Sequence, residues 1–327
     1  VGEKASAGTL RVGIVGASNI APTTIVEPAR KRNDVVVTAV ASRNPERAAK
    51  FAEKHGIAHA ALGYADLFAR EDVDIVYVGL PPSEHAAVSI AALNAGKAVL
   101  CEKVFAMDVG EARDMVAAAE KVRRPLIEAI LYRFHPMIVR AIDIVATGQL
   151  GVIRKADVTA KATLPKIPNG IGWNPSLGGG ALLEFGCFPV HLLRSILGKE
   201  PEVISATAAW EDGVDVSVDA SLKFGDASAS IACAINAKPS INLVLEGDKG
   251  RIEINNYLLP QHGYRFQVQA KELSIDEMSP VGSPYDAQLA HVVEVMMGRA
   301  RPLTGGPDAI ANMVVIDAIK RARMSAS

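Results

Sequence analysis

The sequence predicts an α/β chain of two domains, the first built on a parallel sheet and the second on a largely antiparallel one. Short apolar runs alternate with helical stretches as far as residue 130, and strand then follows strand. The 327 residues suffice for two cores at roughly 100 to 200 residues per domain. With 49% of the chain hydrophobic and 22% charged, disordered and fibrous classes are excluded.

Residues 10–16 form a buried strand, an apolar run too short for a helix that ends in small turn residues. A helix over 20–32 follows. Residues 35–42, rich in Val and Ala between Asn33-Asp34 and Asn44-Pro45, make the second strand, and Pro45 opens the next helix. A third apolar run spans 74–80; Ser83 then caps a helix to Asn94, and Gly96 stops it. Strands over 98–102 and 125–130 flank a helix over 108–121. This order implies a parallel sheet with helices on both faces.

A helix over 136–146 leads through Gly148 and Gly151 to a strand over 153–162, a Gly/Pro-rich loop over 165–180 and a helix over 181–197. Strands over 203–210, 214–224, 227–236, 241–246 and 251–255 come next, separated by turns such as Asp212-Gly213 and Gly225-Asp226. They read as an antiparallel meander, closed by helices over 285–297 and 307–324. The division is therefore a flexible end (1–9), a first domain (10–131) and a second (132–327).

Charge is balanced along the chain, with 18 basic and 17 acidic residues in the first 150 and 17 and 19 after them. No basic face for nucleic acid is expected. The most apolar stretch, 86–101, is broken by Ser89, Asn94, Gly96 and Lys97, so no membrane partner is expected. Residues 1–9 lack the apolar core of a signal peptide. Cys101, Cys187 and Cys233 lie far apart with no metal-ligand spacing, which points to no metal and to a reducing cytoplasm.

The first strand-to-helix turn reads Gly16-Ala17-Ser18-Asn19-Ile20-Ala21. In a dinucleotide turn the first Gly permits the tight bend, the second lets backbone approach the pyrophosphate, and the third, Gly or Ala, lets the helix pack on the strand. Gly16 and Ala21 fit, and Ser18 replaces the middle Gly with a small residue whose hydroxyl can reach a phosphate. The helix N-terminus adds N–H groups at Asn19 and Ile20 and a positive dipole end. An ordinary strand-to-helix turn is the alternative. The second strand ends in Ser42-Arg43, with no carboxylate for a ribose 2′-hydroxyl, so a guanidinium gripping a 2′-phosphate favours NADP over NAD. Arg47, one turn on, joins it or stays solvated, and a plain helix entry would leave Arg43 solvated too.

Ligands of open α/β sheets bind beyond the carboxyl ends of strands, which places Leu80, Pro81, His85, Glu102 and Lys103 near the cofactor. His85 is equally read as a helix cap. A Lys beside a cationic nicotinamide sheds its proton readily and suits general acid/base work.

Together with Tyr132-Arg133-Phe134-His135-Pro136 and the run Leu177-Gly178-Gly179-Gly180 through Phe188, these motifs resemble the Gfo/Idh/MocA oxidoreductases over nearly the whole chain from Leu10. The dihydrodiol dehydrogenase and NADP-dependent sugar oxidoreductase branch is the most similar. The resemblance implies an N-terminal Rossmann domain and a C-terminal α/β domain with an open, mostly antiparallel sheet. It also implies a homodimer or homotetramer through that sheet, and hydride transfer with a sugar, cyclitol or dihydrodiol-like substrate.

Three positions depart from the family pattern: Val104 replaces a usual Pro, Glu184 a usual Asp, and Phe188 a usual His or Tyr. If 184 and 188 share a helical face, both point at the substrate. Phe has no proton to give, so Lys103 is left to act alone, with Glu184, with His191, or through water. Arg133, His135, Trp173, Phe188, His191 and Tyr285 are the substrate-binding candidates. Arg133 and His135 read equally as a structural pair, Trp173 as a loop anchor, His191 as core packing, and Tyr285 as a capping residue. The leading function is an NADP-dependent oxidoreductase acting on CH–OH or C=O carbons. A degenerate NADP-binding sensor or scaffold is the alternative, and transient oxidation coupled to elimination or hydrolysis is a third.

Overall fold

The computed structural model describes residues 8–168, 170–279 and 282–324. The expected flexible end lies, apart from Gly8 and Thr9, outside the described residues. The chain divides into two compact units. One runs up to Ala106 and includes Gly110–Ile130 and Tyr285–Ile310; the other holds Met107–Val109, Leu131–Pro284 and the chain from Ala311 onward.

The first unit contains β1 (Leu10–Val15), a π turn (Pro22–Val26) running into α1 (Glu27–Arg30), β2 (Val35–Ala41), α2 (Pro45–His55), β3 (His59–Ala61), α3 (Tyr64–Ala69), β4 (Ile75–Val78), α4 (Pro82–Asn94), β5 (Ala98–Cys101), α5 (Val109–Val122) and β6 (Leu126–Glu128). All strand pairs are parallel, in the order β3-β2-β1-β4-β5-β6. The order reverses between β1 and β4, and this opens a crevice at their carboxyl ends. Every residue of β4 and β5 is buried, as strands covered on both faces require. Helical Ile25, Val26 and Ala52 pack on Val12, Ile14, Tyr77 and Leu100. β3 and α3 were not anticipated, because three residues, two of them exposed, carry no readable pattern.

The helix after β1 widens for a physical reason. Pro28 has no N–H to give Thr24, and its ring crowds that carbonyl, so a regular α turn cannot form there. At the start of this turn both the Thr24 N–H and its Oγ1 donate to the Ile20 carbonyl at 3.0 Å.

The second unit opens with a 3₁₀ turn (Leu131–Phe134) and α6 (Pro136–Ala146), followed by β7 (Ile153–Thr163). A π turn (Leu182–Gly186) then runs into α7 (Cys187–Leu197), where Pro189 poses the same obstacle. β8 (Glu202–Glu211), β9 (Val214–Phe224), β10 (Ala227–Ala234), β11 (Asn236–Gly247), β12 (Gly250–Asn255), β13 (Tyr264–Ala270) and β14 (Leu273–Ser279) complete its sheet. The order is β14-β13-β12-β11-β7-β10-β9-β8. The expected meander is thus interrupted: β7 lies between β10 and β11, parallel to the first and antiparallel to the second. The chain makes this crossing at Ile235, whose carbonyl accepts the Leu164 N–H at 2.7 Å beyond the end of β7. The sheet is open and mostly antiparallel. α8 (Pro284–Met296) and α9 (Pro307–Met324) end the chain.

By length and a hydropathy of 1.3, Pro175–Leu197 would pass for a membrane span. It is broken by 3₁₀ and π turns, and 78% of its apolar window is buried inside the fold, which marks it as a core element.

Candidate active site

Gly16 ends β1 with φ +98°, and a Cβ there would stand 2.4 Å from the Gly79 carbonyl oxygen, so only glycine fits the mouth of the crevice. The Ser18 hydroxyl fills the space facing Gly79, where a Cβ would meet it at 3.1 Å. That hydroxyl is buried and makes no hydrogen bond among the described residues. A buried, unpartnered hydroxyl beside a tight backbone approach and a helix starting at Ala21 suits an anionic pyrophosphate.

Arg47 Nε donates to the Ala17 carbonyl at 3.0 Å, which ties α2 to this turn, and Asn44 caps α2 by accepting the Arg47 N–H at 3.2 Å. Ser42 is buried at the end of β2, whereas Arg43 is exposed and lies 3.4 Å from Glu84. Asn19 and Ile20 are exposed beside the crevice, and Leu80 and Pro81 border it half-buried.

His85 is fully buried, with Nδ1 at 2.8 Å from the Val104 carbonyl and Nε2 at 2.8 Å from the Leu80 carbonyl. It ties the loop after β4 to the loop after β5. Burial lowers its pKa, as does Lys103, against the raising effect of the carbonyls.

Glu102 and Lys103 follow β5, both half-buried, and the Lys103–Val104 peptide is cis, an arrangement ordinarily found before proline. The fully buried Tyr77 donates its hydroxyl to Glu102 Oε1 at 2.8 Å, and the Lys103 N–H donates to Oε2 at 3.3 Å. Tyr285, in the first turn of α8, lies near both: burial and the Glu102 charge push its phenol up to about 12, while Lys103 draws it down. Sequence reasoning missed Tyr77 because an aromatic inside a continuous apolar strand reads as core.

In the second unit the glycine triplet closes the 165–180 loop. A Cβ at Gly179 would meet the Ile171 carbonyl at 2.4 Å, and one at Gly180 would meet Asp215 Oδ1 at 2.3 Å. Asp215 Oδ2 accepts the Leu182 N–H at 2.8 Å and pairs with Arg323 at 2.9 Å, fixing the start of the π turn that carries Glu184. Burial raises the Asp215 pKa, against the lowering effect of Arg323.

Glu184 is half-buried and Phe188 only 5% exposed. The π turn carrying Glu184 runs directly into the helix carrying Phe188, so the two positions lie about one helical turn apart. Phe188 meets the Tyr132 ring edge-on at 6.0 Å. Tyr132 and His191 are fully buried and joined through the Tyr hydroxyl and Nδ1 at 2.6 Å.

His135 caps α6, its Nδ1 accepting the Met137 N–H at 3.3 Å, and packs on Tyr264, while Arg133 is half-buried in the 3₁₀ turn. Trp173 anchors its loop by donating from Nε1 to the Leu164 carbonyl at 3.1 Å, and its ring lies 4.3 Å from Lys166 Nζ. No cluster of three metal-ligating side chains occurs among the described residues.

A doubly wound parallel sheet with this crevice defines a dinucleotide-binding protein. Residues 10–129 match the Gfo/Idh/MocA family described as an oxidoreductase family with an NAD-binding Rossmann fold, and residues 138–253 match a Gfo/Idh/MocA C-terminal domain. The trans-1,2-dihydrobenzene-1,2-diol dehydrogenase of Macaca fascicularis is 36% identical over 251 residues, 76% of this chain and 75% of that one. Among solved structures, the 3-ketoreductase KijD10 from Actinomadura kijaniata with NADP and TDP-benzene superposes with a TM-score of 0.88 at 26% identity, covering 96% of this chain and 98% of that one. The aldose-aldose oxidoreductase of Caulobacter crescentus complexed with glycerol gives 0.90 at 27% identity, covering 98% of each chain. The chain belongs to the Gfo/Idh/MocA oxidoreductase family.

Proposed function

We propose that the protein is an NADP-dependent oxidoreductase that interconverts a CH–OH and a C=O carbon of a sugar-like or cyclic alcohol. The observation that carries this reading is the arrangement along one sheet edge: the Gly16–Ser18 crevice, Arg43 at the end of β2, and Glu102-Lys103 at the end of β5. NADP complexes of KijD10 support the choice of cofactor. When bound, the nicotinamide supplies or accepts the hydride.

Gly16, Ser18 and the following helix hold the pyrophosphate, with Asn19, Ile20, Leu80 and Pro81 bordering it and Ser42, Arg43 and Arg47 on the adenosine side. His85 acts by joining two loops of this edge. Lys103 Nζ takes the hydroxyl proton during oxidation and returns it during reduction, and Tyr77 keeps Glu102 beside it. Glu184 is the second acid/base candidate. The second unit supplies substrate recognition through Arg133, Trp173 and the neighbourhood of Phe188, while His135 and His191 position their surroundings. Tyr285 sits beside Lys103 with its phenol neutral at working pH. A homodimer or homotetramer forms through the polar face of the second sheet, where Thr159, Ser240, Asn242 and Asn255 already make a hydrogen-bonded ladder.

Absorbance at 340 nm is followed with NADP or NADPH and a panel of aldoses, anhydro-sugars, inositols, dihydrodiols and keto-sugars. Turnover on at least one class is expected. Lys103→Met should lower kcat by about 10²- to 10⁴-fold while leaving NADP affinity within twofold. Tight NADP binding without turnover on any class would favour the sensor reading, and an unimpaired Lys103→Met would remove the acid/base assignment.

A further inference from the structure

β2 ends in Ser42-Arg43 without the carboxylate that usually reads a ribose 2′-hydroxyl. The fold brings one from elsewhere. Glu84, in the first turn of α4, places Oε1 3.4 Å from Arg43 NH1. Arg43 is 73% exposed and Glu84 only 22%, so the carboxylate is the better fixed partner and the guanidinium the more mobile one. Tyr64, at the start of α3, lies within the electrostatic reach of both. These side chains come from the segments after β2, β3 and β4, at the carboxyl edge of one sheet.

We propose that Glu84 sets the balance between NADP and NAD, holding Arg43 and offering a carboxylate to an unphosphorylated ribose. The inference rests on the dinucleotide reading above. A 2′-phosphate brings close to two negative charges beside Glu84 and must share or displace its hold on Arg43. A 2′-hydroxyl brings no charge and can donate to the carboxylate. The guanidinium therefore discriminates less than it would alone, and the preference for NADP over NAD is narrowed.

Dissociation constants for NADPH and NADH are measured by fluorescence titration with wild type, Glu84→Gln and Arg43→Gln, at low and high salt. Glu84→Gln keeps the side-chain size and removes the charge; it should tighten NADPH by about tenfold at low ionic strength and weaken NADH. High salt should shrink the NADPH gain. Arg43→Gln should weaken NADPH and spare NADH. A Glu84→Gln variant with the wild-type ratio of affinities overturns the proposal, as does Arg43→Gln with undiminished NADPH affinity. If wild type binds neither nucleotide, the dinucleotide reading itself has failed. Thermal unfolding of Glu84→Gln separates the loss of a helix-terminus charge, a matter of stability, from the change in selectivity.

Discussion

Asp215 and Arg323 form an ion pair at 2.9 Å with side chains only 6% and 10% exposed, and the same carboxylate holds the Leu182 N–H. The Arg323 guanidinium also lies over the Trp210 ring at 4.9 Å. Removing one member of such a pair strands a buried charge. Asp215→Asn should therefore destabilise the protein by about 3 kcal/mol in urea unfolding. Asp215→Asn with Arg323→Met should recover much of that loss. A single variant as stable as wild type would show that the pair is idle.

Gly16 and Ser18 separate two kinds of damage. Gly16→Ala forces a Cβ into the Gly79 carbonyl at positive φ, so it should lose both stability and dinucleotide affinity. Ser18→Ala deletes a buried hydroxyl that has no hydrogen-bond partner among the described residues, so its unfolding temperature should stay level or rise. Its NADPH affinity should fall by about tenfold or more, the value of one hydrogen bond to a charged group. Unchanged affinity in Ser18→Ala would remove the hydroxyl from phosphate binding.

What the sequence disclosed follows from range. Runs such as 10–16 and 98–102 and helices such as 136–146 carry their pattern locally, and they stand in the structure with only small boundary shifts. β13 and β14, beyond the strands expected over 203–255, also hold a period-two alternation in Arg265-Phe266-Gln267-Val268, which turns of similar composition obscure. The insertion of β7 between β10 and β11 is a long-range pairing that no local pattern encodes. The same holds at the site. Glycine spacing revealed the crevice, but the approach of Glu84 to Arg43 and of Tyr77 to Glu102 depends on which strands become neighbours. The π turns were hidden too, although Pro28 and Pro189, each inside a helix, are their visible signal.

Asp74 carries an acid-dependent part of the stability. Burial raises its carboxyl pKa, but hydrogen bonds from the Arg11 side chain and N–H outweigh this and bring it below the ordinary value of 3.8. A depressed carboxyl contributes stability above its unfolded pKa and loses it as pH falls through the folded one. Asp74→Asn should thus be less stable than wild type at neutral pH, with the difference shrinking as pH drops below about 4. Parallel unfolding curves for the two proteins down to acid pH would sink this assignment.

Phe188 is where enzyme and sensor readings part. Its ring stands edge-on to Tyr132, whose hydroxyl is shared between His191 and the Phe188 carbonyl, so a polar chain reaches the backbone of residue 188 but stops short of its side chain. Phe188→Tyr adds one hydroxyl and almost no volume, and gives that position a proton donor. On the proposed oxidoreductase reading, the variant should raise kcat by about tenfold or more with NADPH affinity unchanged, and its solvent isotope effect should change with it. An inert wild type made active by this substitution would identify a protein that kept its cofactor and gave up its chemistry. An active wild type left unaffected by it would show that proton transfer does not need a donor at position 188.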